Sequence, residues 1–287
     1  MTAPSANLVG PLVAVMLLAG CGLVPEGEEP APAIEPPIVA GAAGPGRETR
    51  LIRLADGDSG WFEVDGREVE VRLLGYNAPE RYEGDDRSTP GCNGAAAEAA
   101  LTELLEGADV VTLVGDETDR FGRLLVDLLV DGRSAVELLV GAGRGLSIGD
   151  PGPTRDLMRA AAADGRGMWG DQCGTPAADG LAVTRVEPDP PGRDEDDLNG
   201  EWVELVNRGP DPIDLSGWAI RDDTSSHRFA LSGSIAPGAS LTVRTGSGRS
   251  GDGQVFLHSP SPVWSNRTDT VLVIDPAGVV AAWGFVG

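Results

Sequence analysis

Short apolar runs in the first half of the chain, alternating or continuous, predict the strands of a mixed α+β domain. Strong helix formers with a three-to-four spacing separate them and predict three helices, over residues 95–105, 134–140 and 153–163, the second capped by Ser134. Asp65-Gly66 and Asp131-Gly132 are typical of tight turns between strands. The five predicted strands lie near residues 51–52, 61–64, 69–74, 110–114 and 124–130.

The pattern changes near residue 181, after which every apolar segment is short and strand-like. Turn signals such as Asn199-Gly200, Pro237-Gly238 and Pro276-Ala-Gly278 separate these segments. Many short strands over about a hundred residues predict a β-sandwich. The predicted strands are residues 181–186, 201–207, 213–222, 227–231, 240–245, 255–257, 270–275 and 279–285.

The N-terminus has the pattern of an export signal. Residues 8–18 form an apolar run too short to span a bilayer, and it ends in Leu18-Ala-Gly-Cys21, which resembles the lipobox of bacterial lipoproteins. We therefore expect residues 1–21 to be a lipoprotein signal peptide and Cys21 to be acylated. Residues 22–48, rich in Pro, Glu, Ala and Gly, are expected to be a disordered linker. The protein would then be anchored at the extracellular face of the membrane. If the apolar segment is simply cleaved and Cys21 is not acylated, the protein would be secreted.

The charge balance is acidic throughout. The 287 residues carry a net charge of −23 with a pI near 4.3, and none is lysine. Residues 47–170 hold 24 acidic residues against 14 arginines, and residues 174–287 hold 16 against 8. Neither half has the broad basic field of a typical nucleic-acid binder. A site for such a ligand would therefore depend on a bound cation and a few local arginines.

Two cysteines remain once Cys21 is assigned to lipid. In an exported protein, Cys92 and Cys173 are most simply a disulfide, which closes a loop of roughly 80 residues. Two free thiols or a metal pair are the alternatives, and the sequence offers neither further cysteines nor nearby histidines for the latter. We predict the disulfide.

Three motifs of the first domain carry oxygen ligands, cations and an acid. They are Asp56-Gly-Asp-Ser59, Arg72-Leu-Leu-Gly-Tyr-Asn-Ala-Pro-Glu80 and Thr118-Asp-Arg-Phe-Gly-Arg123. In order and spacing they resemble the thermonuclease, or staphylococcal-nuclease-like, family. The resemblance implies a thermonuclease-like domain over residues 49–173, folded as an OB-type five-stranded barrel with three helices.

The same resemblance implies a Ca²⁺-dependent hydrolysis of DNA and RNA phosphodiester bonds. Glu80 would be the general base, while Arg72 and Arg123 would hold the phosphate and neutralise charge in the transition state. The implied oxygen ligands of the cation are Asp58, Asn77, the Ala78 carbonyl and, through water, Asp56.

Two departures from the family favour a second hypothesis. The family commonly has Asp where this chain has Asn77, and it usually has tyrosines before the last helix, where residues 144–150 contain no aromatic residue. Together with the acidic charge, they favour a non-catalytic cell-surface binding protein with a degenerate nuclease fold. We expect Trp61 and Phe121 to lie in the core or to cover part of it, rather than to stack on nucleic-acid bases.

Residues 174–180 are predicted to be a short linker to the second domain. Glu201-Trp-Val-Glu-Leu-Val-Asn207 and Asp214-Leu-Ser-Gly-Trp-Ala-Ile-Arg-Asp222 resemble the lamin-tail domain, an immunoglobulin-like sandwich, over residues 181–287. We expect its tryptophans 202, 218, 264 and 283 to lie in strands and fill its core. The domain would bind a cell-surface ligand or target a monomeric nuclease, and a third hypothesis gives it the main biological role.

Overall fold

The computed structural model describes residues 46–83, 89–149, 152–224 and 227–287. The predicted signal peptide, the lipidation site Cys21 and nearly all of the predicted linker 22–48 lie outside these residues. Within the described part of the chain, no helix combines the length and apolarity needed to cross a membrane.

The first domain is built from short strands and three helices. Its helices are α1 (Cys92–Glu106), α2 (Ala135–Gly141) and α3 (Pro153–Ala163), followed by a 3-10 turn at Gly167–Trp169. In chain order its strands are β1 (Arg47–Glu48), β2 (Arg50–Leu54), β3 (Ser59–Val64), β4 (Arg67–Leu73), β5 (Tyr76–Asn77), β6 (Tyr82–Glu83), β7 (Thr89–Pro90), β8 (Val111–Thr118), β9 (Leu124–Val130), β10 (Arg133–Ser134) and β11 (Leu146–Ser147).

One sheet carries most of these strands, in the order β1-β8-β9-β4-β3-β2 with β10 added to β9. Its inner face is apolar because residues alternate along each strand, as in β9, where every second residue is buried. The outermost strands β1 and β2 pair with different neighbours and not with each other. The described residues therefore show no closed barrel, and the five-stranded OB-type barrel stays a prediction.

Local sequence signals account for most of the element boundaries. Asp65-Gly66 and Asp131-Gly132 adopt positive φ at both positions, as two-residue hairpin turns require. The Ser134 hydroxyl accepts from the Glu137 N–H at 3.5 Å and caps α2 as predicted. Helix α1 begins at Cys92, three residues before the predicted start, because residues 92–94 continue the helix into a buried position beside the Glu80 backbone.

The second domain is a sandwich of two four-stranded sheets, ordered β12-β13-β18-β19 and β16-β15-β20-β21, with β14 and β17 paired beside them. Its strands are β12 (Leu181–Glu187), β13 (Trp202–Asn207), β14 (Ile213–Asp214), β15 (Ala219–Arg221), β16 (Arg228–Ala230), β17 (Ser234–Ile235), β18 (Ser240–Arg244), β19 (Gln254–Phe256), β20 (Asp269–Ile274) and β21 (Val280–Val286). The predicted single strand 213–222 is two strands, because a turn with Gly217 at φ 80° interrupts it.

The predicted tryptophan core is correct for two of four residues. Trp218 and Trp264 are buried in the sandwich, although both lie between strands rather than in them. Trp202 is half-buried on β13 beneath the Arg185 guanidinium, 4.9 Å from its ring. Trp283 packs against the core of the first domain instead, because its ring meets the buried Trp169 edge-on at 5.4 Å.

The cores of the two domains are continuous. Leu272, Ile274 and Val280 of the sandwich are buried in the same apolar cluster as Trp169, and Phe285 packs on the Trp169 ring at 6.0 Å. Apolar burial of this kind restricts the relative motion that two domains joined by a linker otherwise have. The described residues therefore form one compact unit.

Candidate functional site

The turn between β2 and β3 is organised by Asp56. Its Oδ1 accepts from the Asp58 N–H at 3.0 Å, and from the Ser59 N–H and hydroxyl, both at 2.8 Å. Burial works against ionisation here, but these hydrogen bonds, with that of the Asp58 side chain, lower the pKa of Asp56 below its ordinary value. Asp56 is thus a charged residue that shapes the turn and places Asp58.

Asp58 is the buried acid at the centre of the site. Its carboxylate forms an ion pair with the Arg72 guanidinium and accepts from the Ala78 N–H at 2.8 Å. Its side chain is only one-tenth exposed, and this burial raises its pKa to about 7 although Arg72 acts in the opposite direction. Strand pairing brings Asp58 and Arg72 together, because Ser59, the residue after Asp58, lies opposite Arg72 in the β3–β4 pair.

Asn77 joins this cluster to the second domain. Its Oδ1 accepts from an Arg72 Nη at 3.1 Å, while its Nδ2 donates to the Asp223 carbonyl at 2.9 Å. Asn77 is 4% exposed and lies on β5, which pairs with β11. The residue that the sequence assigns to a cation site is therefore also a contact between domains.

Glu80 lies just beyond the buried cluster, with an exposed side chain. Its backbone is fixed by a close approach to helix α1, since a Cβ on Gly94 would come within 2.1 Å of the Glu80 carbonyl oxygen. Only glycine fits this approach without a shift of the backbone. The predicted base is thus exposed and lies on a backbone segment that α1 supports.

Gly94→Ala is expected to lower the free energy of unfolding by about 1–3 kcal/mol because its methyl group must displace the Glu80 segment. The matched control is Gly107→Ala at the other end of α1, where φ is −83° and the nearest atom is 3.2 Å away. Urea unfolding of both variants checks the prediction, and equal midpoints for the two would contradict it.

Arg123 lies at the start of the neighbouring strand, just outside it. It directly precedes β9, which runs parallel to β4 and sets Leu125 opposite Arg72. The Asp119 N–H donates to the Arg123 carbonyl at 2.9 Å and continues the strand pairing. Arg123 therefore lies two residues before the position that pairs with Arg72.

Asp119 orients the Arg123 side chain, a role that the sequence analysis missed. Its carboxylate contacts Arg123 Nε at 2.7 Å, and hydrogen bonds from Arg123 and Phe121 lower the Asp119 pKa although desolvation opposes them. Phe121 is 69% exposed between the Arg120 and Arg123 guanidinium groups, which lie 4.7 and 5.5 Å from its ring centre. Of the predicted core or partial-cover roles, the core role of Phe121 is therefore wrong, because the side chain is exposed at a polar turn.

The donor set fits a hard cation in part. No group of three or more His, Cys, Asp or Glu is arranged for a metal within the residues the structure describes. Asp58 is nevertheless a suitable ligand for a cation. Burial raises its pKa to about 7, and a bound cation would stabilise its charged form. Asp56, Asp58, Asn77 and the Ala78 carbonyl remain the candidate donors, and Arg72 already contacts both the Asp58 carboxylate and Asn77 Oδ1.

The disulfide is confirmed. Cys92 at the start of α1 is bonded to Cys173 beyond the 3-10 turn, with Cα atoms 5.7 Å apart. Beside it, Gln172 Nε2 donates to Asn93 Oδ1 at 3.1 Å. The cross-link fastens the helix that supports Glu80 to the end of the first domain.

Comparison with known proteins decides the nature of the second domain. Residues 175–286 match the family model of the lamin tail domain. This part of the chain is a lamin tail domain. The match begins before the predicted boundary at residue 181, and the structure ties this segment to the sandwich through the Ala177 N–H, which donates to Asp275 at 2.9 Å. No thermonuclease family model matches the chain, and none of the curated proteins matches it.

The contacts that sequence reasoning missed have different origins. Asp119 lies inside the motif Thr118-Asp-Arg-Phe-Gly-Arg123, four residues before Arg123, so its charge and spacing were available signals. Asp223 is separated from Asn77 by 146 residues, and no local pattern links the two. The lamin tail domain contributes to the surroundings of the site in a way that neither domain's sequence shows alone.

Proposed function

We propose that residues 49–173 form a thermonuclease-like domain that hydrolyses DNA and RNA phosphodiester bonds with Ca²⁺ and little sequence preference. The observation that carries this proposal is the convergence of Asp58, Arg72, Asn77 and the Ala78 backbone, with Glu80 two residues further along at the surface. Turn formers and surface ion pairs alone would not require a buried acid at the centre.

The strand arrangement supports an OB-type domain. The two outermost strands of the sheet, β1 and β2, are consecutive in the chain and separated only by Thr49. The Thr49 N–H donates to the Val111 carbonyl at 2.9 Å, and its hydroxyl donates to the Glu63 carbonyl at 2.7 Å. One bent segment thus contacts both ends of the sheet, as a strongly curled Greek-key sheet requires.

In the proposed reaction the chain's own groups bind phosphate and move a proton. Arg72 and Arg123 bind the non-bridging phosphate oxygens and stabilise the charge that develops on them. Glu80 takes a proton from water as the water oxygen bonds to phosphorus, and the departing ester oxygen is protonated by solvent. Asp58, Asn77, the Ala78 carbonyl and, through water, Asp56 would hold a calcium ion, which would supply positive charge at the phosphoryl oxygens.

The exposed turn with Phe121 supports contact with a nucleic acid. An exposed aromatic ring beside two arginines places apolar surface and two cations at one turn, the combination used to bind single-stranded nucleic acid. These cations are local, which fits an acidic domain because fields are screened over about 8–10 Å at ordinary salt. We further propose that the protein is a lipid-anchored surface protein. Its lamin tail domain would bind a cell-surface ligand or target the nuclease domain to one.

A substrate panel tests this function. Full-length protein is incubated with single-stranded DNA, double-stranded DNA and RNA, in millimolar Ca²⁺ or with a chelator. Cleavage that requires Ca²⁺ supports the proposal. Binding of the same oligonucleotides, measured by fluorescence anisotropy without any cleavage, would instead support the non-catalytic surface binding protein.

A further inference from the structure

We propose that the lamin tail domain is a working part of the candidate site, in which the Asp223 carbonyl positions Asn77 and, through it, Arg72. This inference rests on the proposed function, but its structural half can be tested separately. Asn77 spans the two domains with one amide, because its oxygen faces Arg72 and its nitrogen faces Asp223. An acceptor for the nitrogen fixes which way the amide is turned and therefore what the oxygen can bind.

Asp223 is itself held on three sides. Its N–H donates to Asp269 Oδ1 at 3.2 Å and its carbonyl accepts from Asn77 at 2.9 Å, while its carboxylate is held by charge alone, 3.5 Å from an Arg155 Nη and without a hydrogen bond to Oδ2 from the described residues. Asp223 and Asp269 belong to the lamin tail domain, whereas Arg155 comes from α3 of the first domain. A buried main-chain carbonyl fixed in this way is a rigid acceptor rather than a mobile loop contact.

Arg155 closes the arrangement into a ring. It is 3% exposed, and the same Nη donates to the Ser147 carbonyl at 3.1 Å. Ser147 lies on β11, which pairs with β5 and sets Leu146 opposite Asn77. The path therefore runs from Asn77 to Asp223, across to Arg155, and back through β11 to the strand that carries Asn77.

The ring gives a physical reason for an amide at position 77. A carboxylate there could still accept from Arg72, but its second oxygen would face the Asp223 carbonyl with no proton between them. A buried acceptor without a donor is unfavourable. Asn at this position therefore suits a site that is bounded by the lamin tail domain.

Two full-length variants test the inference from opposite sides. Arg155→Met removes the charge contact with the Asp223 carboxylate together with the hydrogen bonds from Arg155 to the Ser147, Asp269 and Val286 carbonyls, and Asn77→Asp removes the donor to the Asp223 carbonyl. The matched control is Arg159→Met, because Arg159 lies one turn later on α3 and contacts the same domain at the Gly287 carbonyl and the Phe285 ring, but not at Asp223. Circular dichroism and cooperative unfolding establish that each variant is folded.

Hydrogen exchange measured by mass spectrometry is the first readout, since it needs no activity. We expect Arg155→Met to speed exchange in residues 74–80 by about tenfold, and Asn77→Asp to speed it around residues 219–224 by a similar factor, with Arg159→Met close to wild type in both segments. If Arg155→Met does not fold, Asn77→Asp decides. Wild-type exchange in the folded variants, or the same increase in Arg159→Met, would overturn the inference.

Cleavage kinetics provide the second readout. We expect kcat to fall about tenfold in Arg155→Met with KM changed less than about twofold. Arg72 stabilises the transition state in the proposed reaction, so its displacement lowers kcat more than it changes KM. Faster exchange with unchanged kcat would overturn the positioning role while the proposed function stands. Coupled exchange in a protein that cleaves no substrate would keep the domain coupling and reject the proposed function instead.

Discussion

Arg72→Ala is expected to reduce phosphodiester cleavage by about 10²–10³-fold, as removal of one fixed donor to a developing oxyanion does in other enzymes. Arg72 forms the ion pair with Asp58 and donates to Asn77, so its loss removes positive charge from the centre of the site. Initial rates at saturating Ca²⁺ and a temperature well below unfolding measure the effect. Arg72→Lys should lie between alanine and wild type, because it keeps the charge but loses the guanidinium fork.

The matched control for Arg72 is Arg53→Ala. Arg53 lies on the same sheet in an exposed ion pair with Glu68 at 2.6 Å, and exposed pairs of this kind contribute about 0–1 kcal/mol. We expect its cleavage rate to stay within about twofold of wild type. An equal loss in Arg53→Ala and Arg72→Ala would show that general charge, rather than the cluster around Asp58, accounts for activity.

The Cys92→Ser, Cys173→Ser double variant is expected to be less stable than wild type by up to about 4.5 kcal/mol, the chain-entropy value for a loop of this length. The loop contains most of the first domain, so its closure restricts a large part of the unfolded chain. Urea unfolding with and without reductant measures the difference. Reductant should lower the wild-type midpoint and leave that of the double variant unchanged.

The disulfide also supports the site, since α1 begins at Cys92 and holds the Glu80 segment at Gly94. We therefore expect the double variant to lose activity at temperatures where wild type is fully folded. Wild-type and double-variant midpoints that agree in the absence of reductant would contradict the stabilising role.

Local patterns predicted the elements because their causes are local. Helix α3 follows its predicted bounds, the Ser134 cap is present, and the two aspartate-glycine turns adopt the required positive φ. The meeting of Asp58 with Arg72 was also accessible from sequence, because both lie in motifs at the ends of paired strands. These features depend on residues close in the chain or on a simple strand register.

The relation between the domains was not accessible in the same way. The linker suggested two separate bodies, yet Trp283 packs on Trp169 and Asn77 binds Asp223. Alternating apolar residues in β21 predict a strand with a buried face, but they do not say which core buries it. Contacts over more than a hundred residues follow from the packing of whole domains, which no short motif encodes.

The most direct test of the central claim compares Ca²⁺-dependent cleavage by full-length wild type and Glu80→Gln, with Glu106→Gln at an exposed end of α1 as the control. Loss of a general base lowers rates by about 10²–10⁴-fold, whereas a distant surface glutamate should have no effect. We predict that wild type and Glu106→Gln cleave, that a chelator stops both, and that Glu80→Gln is slower by at least about 10²-fold. No cleavage by the folded, disulfide-bonded wild type, or equal rates for Glu80→Gln and wild type, would contradict the account.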